Sequence, residues 1–137
     1  MADEAQRIDK SDAEWRAQLS PEAYQVLRRA GTERAWSGEY VDWHGDGTFT
    51  CRACGNPLFS STTKYESGSG WPSFYAPLSS AAVELVEDRS HGMVRVEVRG
   101  ARCGSHLGHL FDDGPAPTGQ RFCMNSLALQ VEEPTPE

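Results

Sequence analysis

Four cysteines and two closely spaced histidines are the residues of this 137-residue chain best suited to chemistry. Cys123 lies in the run Arg121-Phe122-Cys123-Met124-Asn125-Ser126. Alternate residues of a strand share a face, so an extended 121–125 points Arg121, Cys123 and Asn125 the same way. Leu127, Leu129 and Val131 follow on that face. It opens with a cation, a thiol and an amide and then turns apolar, the profile of a pocket at the end of a packed sheet. A thiol reacts as its thiolate, and a nearby cation favours that form. On these residues alone the alternative is a buried, inert cysteine.

His106 and His109 stand three apart in Gly104-Ser105-His106-Leu107-Gly108-His109-Leu110-Phe111. A regular strand sends them to opposite faces. Gly104 and Gly108 can bend the backbone so that both reach one site. A metal-binding pair or two satisfied surface histidines are the plainer readings. The turn-rich loop from Asp112 to Gly119 leads back toward Cys123, which makes a meeting of imidazole and thiol easy. In Ser67-Gly68-Ser69-Gly70-Trp71-Pro72-Ser73-Phe74, glycines free a loop that Pro72 then fixes just after an indole. Such an indole can wall a pocket for a methyl group or simply plug a sheet edge.

The elements that must position these residues fall into two textures. Ser11 with Glu14 reads as a capping box opening a short helix through Trp15 and Leu19. Ser20-Pro21 reads as an N-cap and first helical position, with Ala23, Val26, Leu27 and Ala30 at helical spacing and Gly31 as the stop. Beyond residue 31 come short β-prone runs: Thr48–Cys51 and Pro57–Phe59 around a Cys51/Cys54 turn, then Val83–Val86 and Met93–Arg99 around Ser90-His91-Gly92. Val94, Val96 and Val98 alternate as a buried face. A last strand is expected from about Phe122 to Val131. Together these predict a small, mainly β, antiparallel single domain over 1–137 with short N-terminal helices, residues 1–10 and 132–137 being flexible tails.

The net charge of −7 argues against nucleic acid or an anionic membrane as the main partner. No stretch approaches the roughly 20 apolar residues of a membrane helix. The acidic start Met1-Ala2-Asp3-Glu4 is unlike a secretory signal, so a reducing cytoplasm is expected. There, cysteines serve as metal ligands or catalytic thiols more often than as disulfides.

In order along residues 20 to 130, several runs closely resemble the methionine-R-sulfoxide reductase family, the B type. They are Gly31-Thr32-Glu33, Cys51-Arg52-Ala53-Cys54, Gly70-Trp71-Pro72-Ser73-Phe74, Ser90-His91-Gly92-Met93, Ser105 to Phe111, Asp113-Gly114-Pro115 with Pro117-Thr118-Gly119, and Arg121 to Ser126. The resemblance implies a β-tent of two antiparallel sheets. It also implies reduction of the R epimer of methionine sulfoxide in proteins and peptides, each epimer having its own enzyme type. Cys123 would attack the sulfoxide and become a sulfenic acid. His106 and His109 would hold and protonate the oxygen, Arg121 and Asn125 would tune and position, and Trp71 would pack the methyl group. No cofactor is implied for the chemistry.

Two positions depart from the family pattern. Zinc-bearing relatives hold a structural Zn with two CxxC pairs. Here Gly100 replaces the first cysteine of the second pair, leaving Cys51, Cys54 and Cys103 as an incomplete metal site. Relatives that resolve the sulfenic acid internally often carry a cysteine two residues before the tryptophan, and here that residue is Ser69. The sulfenic acid could be reduced directly by thioredoxin or a small thiol, or resolved by Cys51, Cys54 or Cys103; the implied fold sets that corner away from the active site, so direct reduction is expected. The competing readings are a zinc-ribbon-like peptide-binding module, which leaves Cys123 and the histidine and tryptophan loops without a role, and a cysteine-histidine hydrolase, for which nothing marks an oxyanion hole.

Overall fold

The structure, a computed structural model, describes residues 10–43, 45–89 and 92–132. Ser90 and His91 of the expected turn, and residues 1–9 and 133–137 of the expected tails, lie outside these. No helix among the described residues is long and apolar enough to cross a membrane.

Helix α1 (Asp12–Gln18) opens on the expected capping box: Ser11 Oγ accepts from Glu14 N–H, and Glu14 Oε1 accepts from Ser11 N–H at 2.8 Å. Helix α2 (Pro21–Arg29) is capped by Ser20. It ends one residue before the expected stop, because Ala30 rather than Gly31 turns left-handed, with φ 55°. Both helices are too short to persist alone. They are held by burying Trp15, Ala23, Tyr24, Val26 and Leu27 against the sheets.

The strands are β1 (Thr48–Cys51), β2 (Pro57–Ser60), β3 (Lys64–Tyr65), β4 (Ser73–Phe74), β5 (Val83–Asp88), β6 (Arg95–Gly100), β7 (His106–Phe111), β8 (Arg121–Met124) and β9 (Leu129–Glu132). They form a small sheet ordered β2-β1-β9 and a large one ordered β3-β4-β8-β7-β6-β5, antiparallel throughout. This mainly β architecture of two antiparallel sheets and short helices agrees with the sequence. Aromatic rings join the sheets: Phe49 of β1 meets Phe74 of β4 edge-on at 5.1 Å, and Phe59 of β2 stacks on Phe74 at 4.4 Å. Phe122 of β8 closes the chain of rings. All but Phe122 are fully buried, each worth roughly 1.5–3 kcal/mol in area removed from water.

Two local expectations are corrected. The single strand expected from Phe122 to Val131 is two. The chain leaves the large sheet after Met124, makes a 3-10 turn at Ser126–Ala128 and enters the small sheet as β9. Buried Asn125 drives the exit, since its amide is satisfied by Leu107 O and Glu33 N–H rather than by ladder partners. The alternation shifts phase at the break: Phe122 and Met124 face the core from β8 while Cys123 lines the cleft, and in β9 it is Leu129 that is buried, so Cys123 and Leu129 do not share the one continuous face the sequence suggests. On β6 and its approach, Val98 is fully buried but Val94 is 66 % exposed, lying past the end of that core. The opposite face of β6 buries Glu97 as well.

Candidate active site

Cys123 is at the centre of the large sheet, opposite Ser73 of β4 on one side and His109 of β7 on the other. The strands approach so closely here that a Cβ on Gly108 would lie 2.1 Å from Cys123 O, so only glycine fits. The thiol is half-buried, and Ser69 Oγ stands 3.8 Å from its Sγ. Ser67 ties Ser69 and Ser73 together at 2.8 Å each, which fixes the hydroxyls beside the sulfur.

Burial pushes the Cys123 thiol above its ordinary value, while Ser69, Arg121 and Ser73 pull the other way. Arg121 favours the thiolate, as the sequence suggests, but burial outweighs it. Part of the reason is that Arg121 is already engaged. Its Nε and Nη2 donate to Asp113 at 2.8 and 3.2 Å, and its guanidinium covers the Phe111 ring at 4.4 Å. That bidentate contact raises Arg121 and lowers Asp113, while sharing the positive charge with a carboxylate.

The histidines do meet, through a register shift rather than through the glycines alone. β6 and β7 slip between Val98 and Arg99, so that Glu97 faces His109 while Arg99 faces His106. The rings then lie edge to face at 5.4 Å. Each is held by a carboxylate: His106 Nδ1 by Glu97 at 2.7 Å, His109 Nε2 by Asp88 at 2.8 Å. Burial lowers His106 despite Glu97, which keeps the imidazole neutral, with Nδ1–H donating to the carboxylate. Burial alone would raise Glu97, but Arg99 and His106 more than offset it and hold the carboxyl low. His106 Nε2 is buried with no partner among the described residues. His109 lines the cleft beside Cys123; His106 sits one layer deeper.

Trp71 walls the cleft, its indole N–H donating to Glu33 O at 2.9 Å. Glu33 N–H donates to Asn125 Oδ1, and Glu33 Oε1 accepts from Leu127 N–H, both at 2.9 Å. Gly70 must be glycine: its φ is +94°, and a Cβ would press on Ala35 and the Trp36 indole. The cleft holds about 320 Å³ and is lined by Ser69, Trp71, Arg95, His109, Cys123 and Asn125 among others. That suits one medium-sized side chain.

Of the residues singled out in the sequence, Trp71, His109, Arg121, Cys123 and Asn125 share this cleft, with His106 behind it. Glu33, Asp88, Arg95, Glu97 and Asp113 were missed. Arg95, Glu97 and Arg99 alternate with the β6 valines, a signal for a second, polar working face. Asp88 carries no such mark.

Cys51, Cys54 and Cys103 form a separate cluster, their Sγ atoms within 4.8 Å of one another. Zinc in a structural site takes four ligands. The fourth vertex belongs to Gly100, whose added Cβ would face Cys103 Sγ at 3.8 Å with nothing else within 4 Å. Three thiols therefore fit an ion, but a closed zinc site is not completed.

A strand-borne thiol and, beside it on the neighbouring strand, a carboxylate-held imidazole line one cleft, which makes this a protein built for thiol chemistry on a β scaffold. Comparison with known sequences narrows it. The chain belongs to the SelR domain family, whose profile matches residues 19–133. It is 59 % identical over 120 residues to a Thiobacillus denitrificans protein, covering 88 % of this chain and 91 % of the relative. It is 52 % identical over 130 residues to one from Methylibium petroleiphilum, with 95 % and 94 % covered. With one from Methanosarcina mazei it shares 57 % over 123 residues, with 90 % and 88 % covered. Each of the three is named peptide methionine sulfoxide reductase MsrB.

Proposed function

We propose that this protein reduces the R epimer of methionine sulfoxide in peptides and proteins, with Cys123 as the nucleophile. The relatives' shared name supports the reaction. The observation that carries it is the half-buried Cys123 thiol in a cleft walled by Trp71 and His109.

Cys123 Sγ attacks the sulfoxide sulfur, giving up its proton. With a second proton supplied, the sulfoxide S–O bond breaks and the oxygen leaves as water, so Cys123 is joined to the methionine sulfur as a sulfonium. Water then attacks Cys123 Sγ and loses a proton, the new S–S bond breaks, and Cys123 is left as a sulfenic acid while methionine leaves as the thioether. The sulfoxide is reduced by two electrons and the cysteine oxidised by two. The oxygen departs only if protonated, so a proton must reach it as the bond breaks. His109, oriented by Asp88, carries that role, and His106, held by Glu97, packs edge-on against its ring and keeps it in place. Trp71 packs the methyl group, which sets the epimer because the two differ only in where methyl and oxygen point. Asn125 holds the indole's support, Glu33, and Arg121 offsets part of the burial of the thiol. The balance closes with thiol, sulfoxide and protons alone.

Ser69, beside Cys123, has no thiol to offer, so reductant comes from outside. One thiol of thioredoxin, or of a small-thiol pool, displaces the hydroxyl as water and forms a mixed disulfide. A second thiol releases Cys123 and leaves with the disulfide. The test is Cys123→Ser: it abolishes reduction of R-sulfoxide peptides with the circular dichroism spectrum unchanged. Retained activity would sink the proposal.

A further inference from the structure

The two turns that converge on the cysteine cluster are built alike. In the first, Cys51 N–H donates to Asn56 O at 2.9 Å and Gly55 N–H to Cys51 O at 2.7 Å. In the second, Gly100 N–H donates to Ser105 O at 2.9 Å and Gly104 N–H to Gly100 O at 2.8 Å. Gly100 therefore matches Cys51, and Cys103 matches Cys54. Both turns use a glycine at positive φ after the last cysteine, Gly55 at 79° and Gly104 at 72°.

The missing fourth donor is not supplied nearby. Ser105 Oγ, 3.0 Å from Cys103 Sγ, is a neutral hydroxyl already held by Arg28 Nη1, which donates to it at 3.0 Å, and once Cys103 is a thiolate its proton is turned to that sulfur, so it is a poor fourth ligand. Among the described residues no other His, Cys, Asp or Glu joins the cluster. The three sulfurs nevertheless stay gathered, Cys51 and Cys103 being buried at 3.7 Å. α1 and α2 help hold them, through Gln18 Nε2 to Ala53 O at 2.6 Å and Arg28 to Cys103 O at 2.9 Å. Three thiolates around an ion with metal–sulfur bonds of about 2.3 Å stand about 4 Å apart in a plane, within the span this cluster allows.

We infer that Cys51, Cys54 and Cys103 form a three-coordinate site for a soft monovalent cation of the copper(I) kind, in place of a closed zinc site. Soft thiolates select such ions, and a trigonal ion has no use for the vertex that Gly100 leaves open. Zinc there would be four-coordinate only by taking water, and would be lost readily to a chelator.

The experiment titrates the anaerobic, fully reduced protein with copper(I) against a chromogenic chelator, and separately with zinc(II). A Cys123→Ser background keeps the cleft thiol out of the count. One copper(I) per chain is expected, protecting three thiols from alkylation and showing three sulfur neighbours by X-ray absorption. Outer-sphere changes alone cost roughly 10- to 100-fold in metal affinity, so loss of a ligand in Cys103→Ser should exceed 100-fold. Half-buried Cys54→Ser gives the same loss should Cys103→Ser misfold. Zinc is stripped from the parent by a chelator but retained after Gly100→Cys. Zinc that resists the chelator in the parent, or copper(I) binding indifferent to Cys103→Ser and Cys54→Ser, overturns the inference.

Discussion

Ser69→Cys should convert recycling from external to internal. The hydroxyl at 69 is 3.8 Å from Cys123 Sγ, and a disulfide needs sulfurs about 2.05 Å apart. A longer C–S bond and a side-chain rotation cover most of that gap. The rest falls on a loop with positive-φ glycines at 68 and 70. One equivalent of R-sulfoxide then consumes two thiols per chain in the variant, against one in the parent, and dimedone labels the parent but not the variant. The bridge closes a loop spanning 54 positions, which by chain-entropy reasoning stabilises the oxidised variant over its reduced form by up to about 4 kcal/mol. Thiol counting by mass spectrometry and denaturant unfolding of both forms provide the readouts. A variant that stays dimedone-reactive after turnover, with one thiol lost, would refute the proximity argument.

Further outcomes follow from the site. Asp88→Asn frees the His109 ring, so kcat should fall tenfold or more, short of the ~100-fold usual for outright loss of a proton donor. A shifted pH profile would accompany the fall, and an unchanged profile would count against positioning. Since burial holds the Cys123 thiol above its ordinary value, its alkylation rate in the resting enzyme should rise at higher pH than that of a free cysteine. Arg121→Gln should slow labelling at neutral pH by less than about tenfold, one pKa unit's worth; faster labelling would reverse the assigned sign. His106 is depressed in the folded state from 6.5, so the unfolded chain binds the proton first. Its contribution is whole above about 6.5 and drains away as pH falls through the lower folded value. Urea unfolding from pH 7 to 5 should show that loss, flattened in His106→Gln.

Much of this fold and cleft can be read from residue types. Capping residues and strand runs announce local structure, because a serine hydroxyl or a β-branched face acts within a few positions. Arg121, Cys123 and Asn125 are legible for the same reason. What stays hidden depends on distant partners. The β6–β7 slip that brings the histidines together, Asp88 reaching across the sheet, and Asn125 pulling the chain out of β8 are set by buried polar groups that must find donors or acceptors elsewhere. The apolar alternation through Leu127, Leu129 and Val131 conceals the crossing between sheets, since both sheets serve one core. The net rise of the Cys123 thiol is hidden too, because a neighbouring arginine is visible in the sequence and burial is not.

Glu33 is not among the residues that line the cleft, yet its main chain holds the Trp71 indole and Asn125, and its carboxylate holds the turn after β8. If Cys123 and Trp71 act as proposed, reactivity and choice come from different stretches of the chain: the strand at 121–124 would set how fast a sulfoxide is attacked, and the stretch around 32–36 with the loop at 67–71 which epimer is admitted. A lineage can therefore drift in stereochemical strictness through the second without disturbing the first, and a laboratory library aimed at epimer preference belongs there rather than around the thiol.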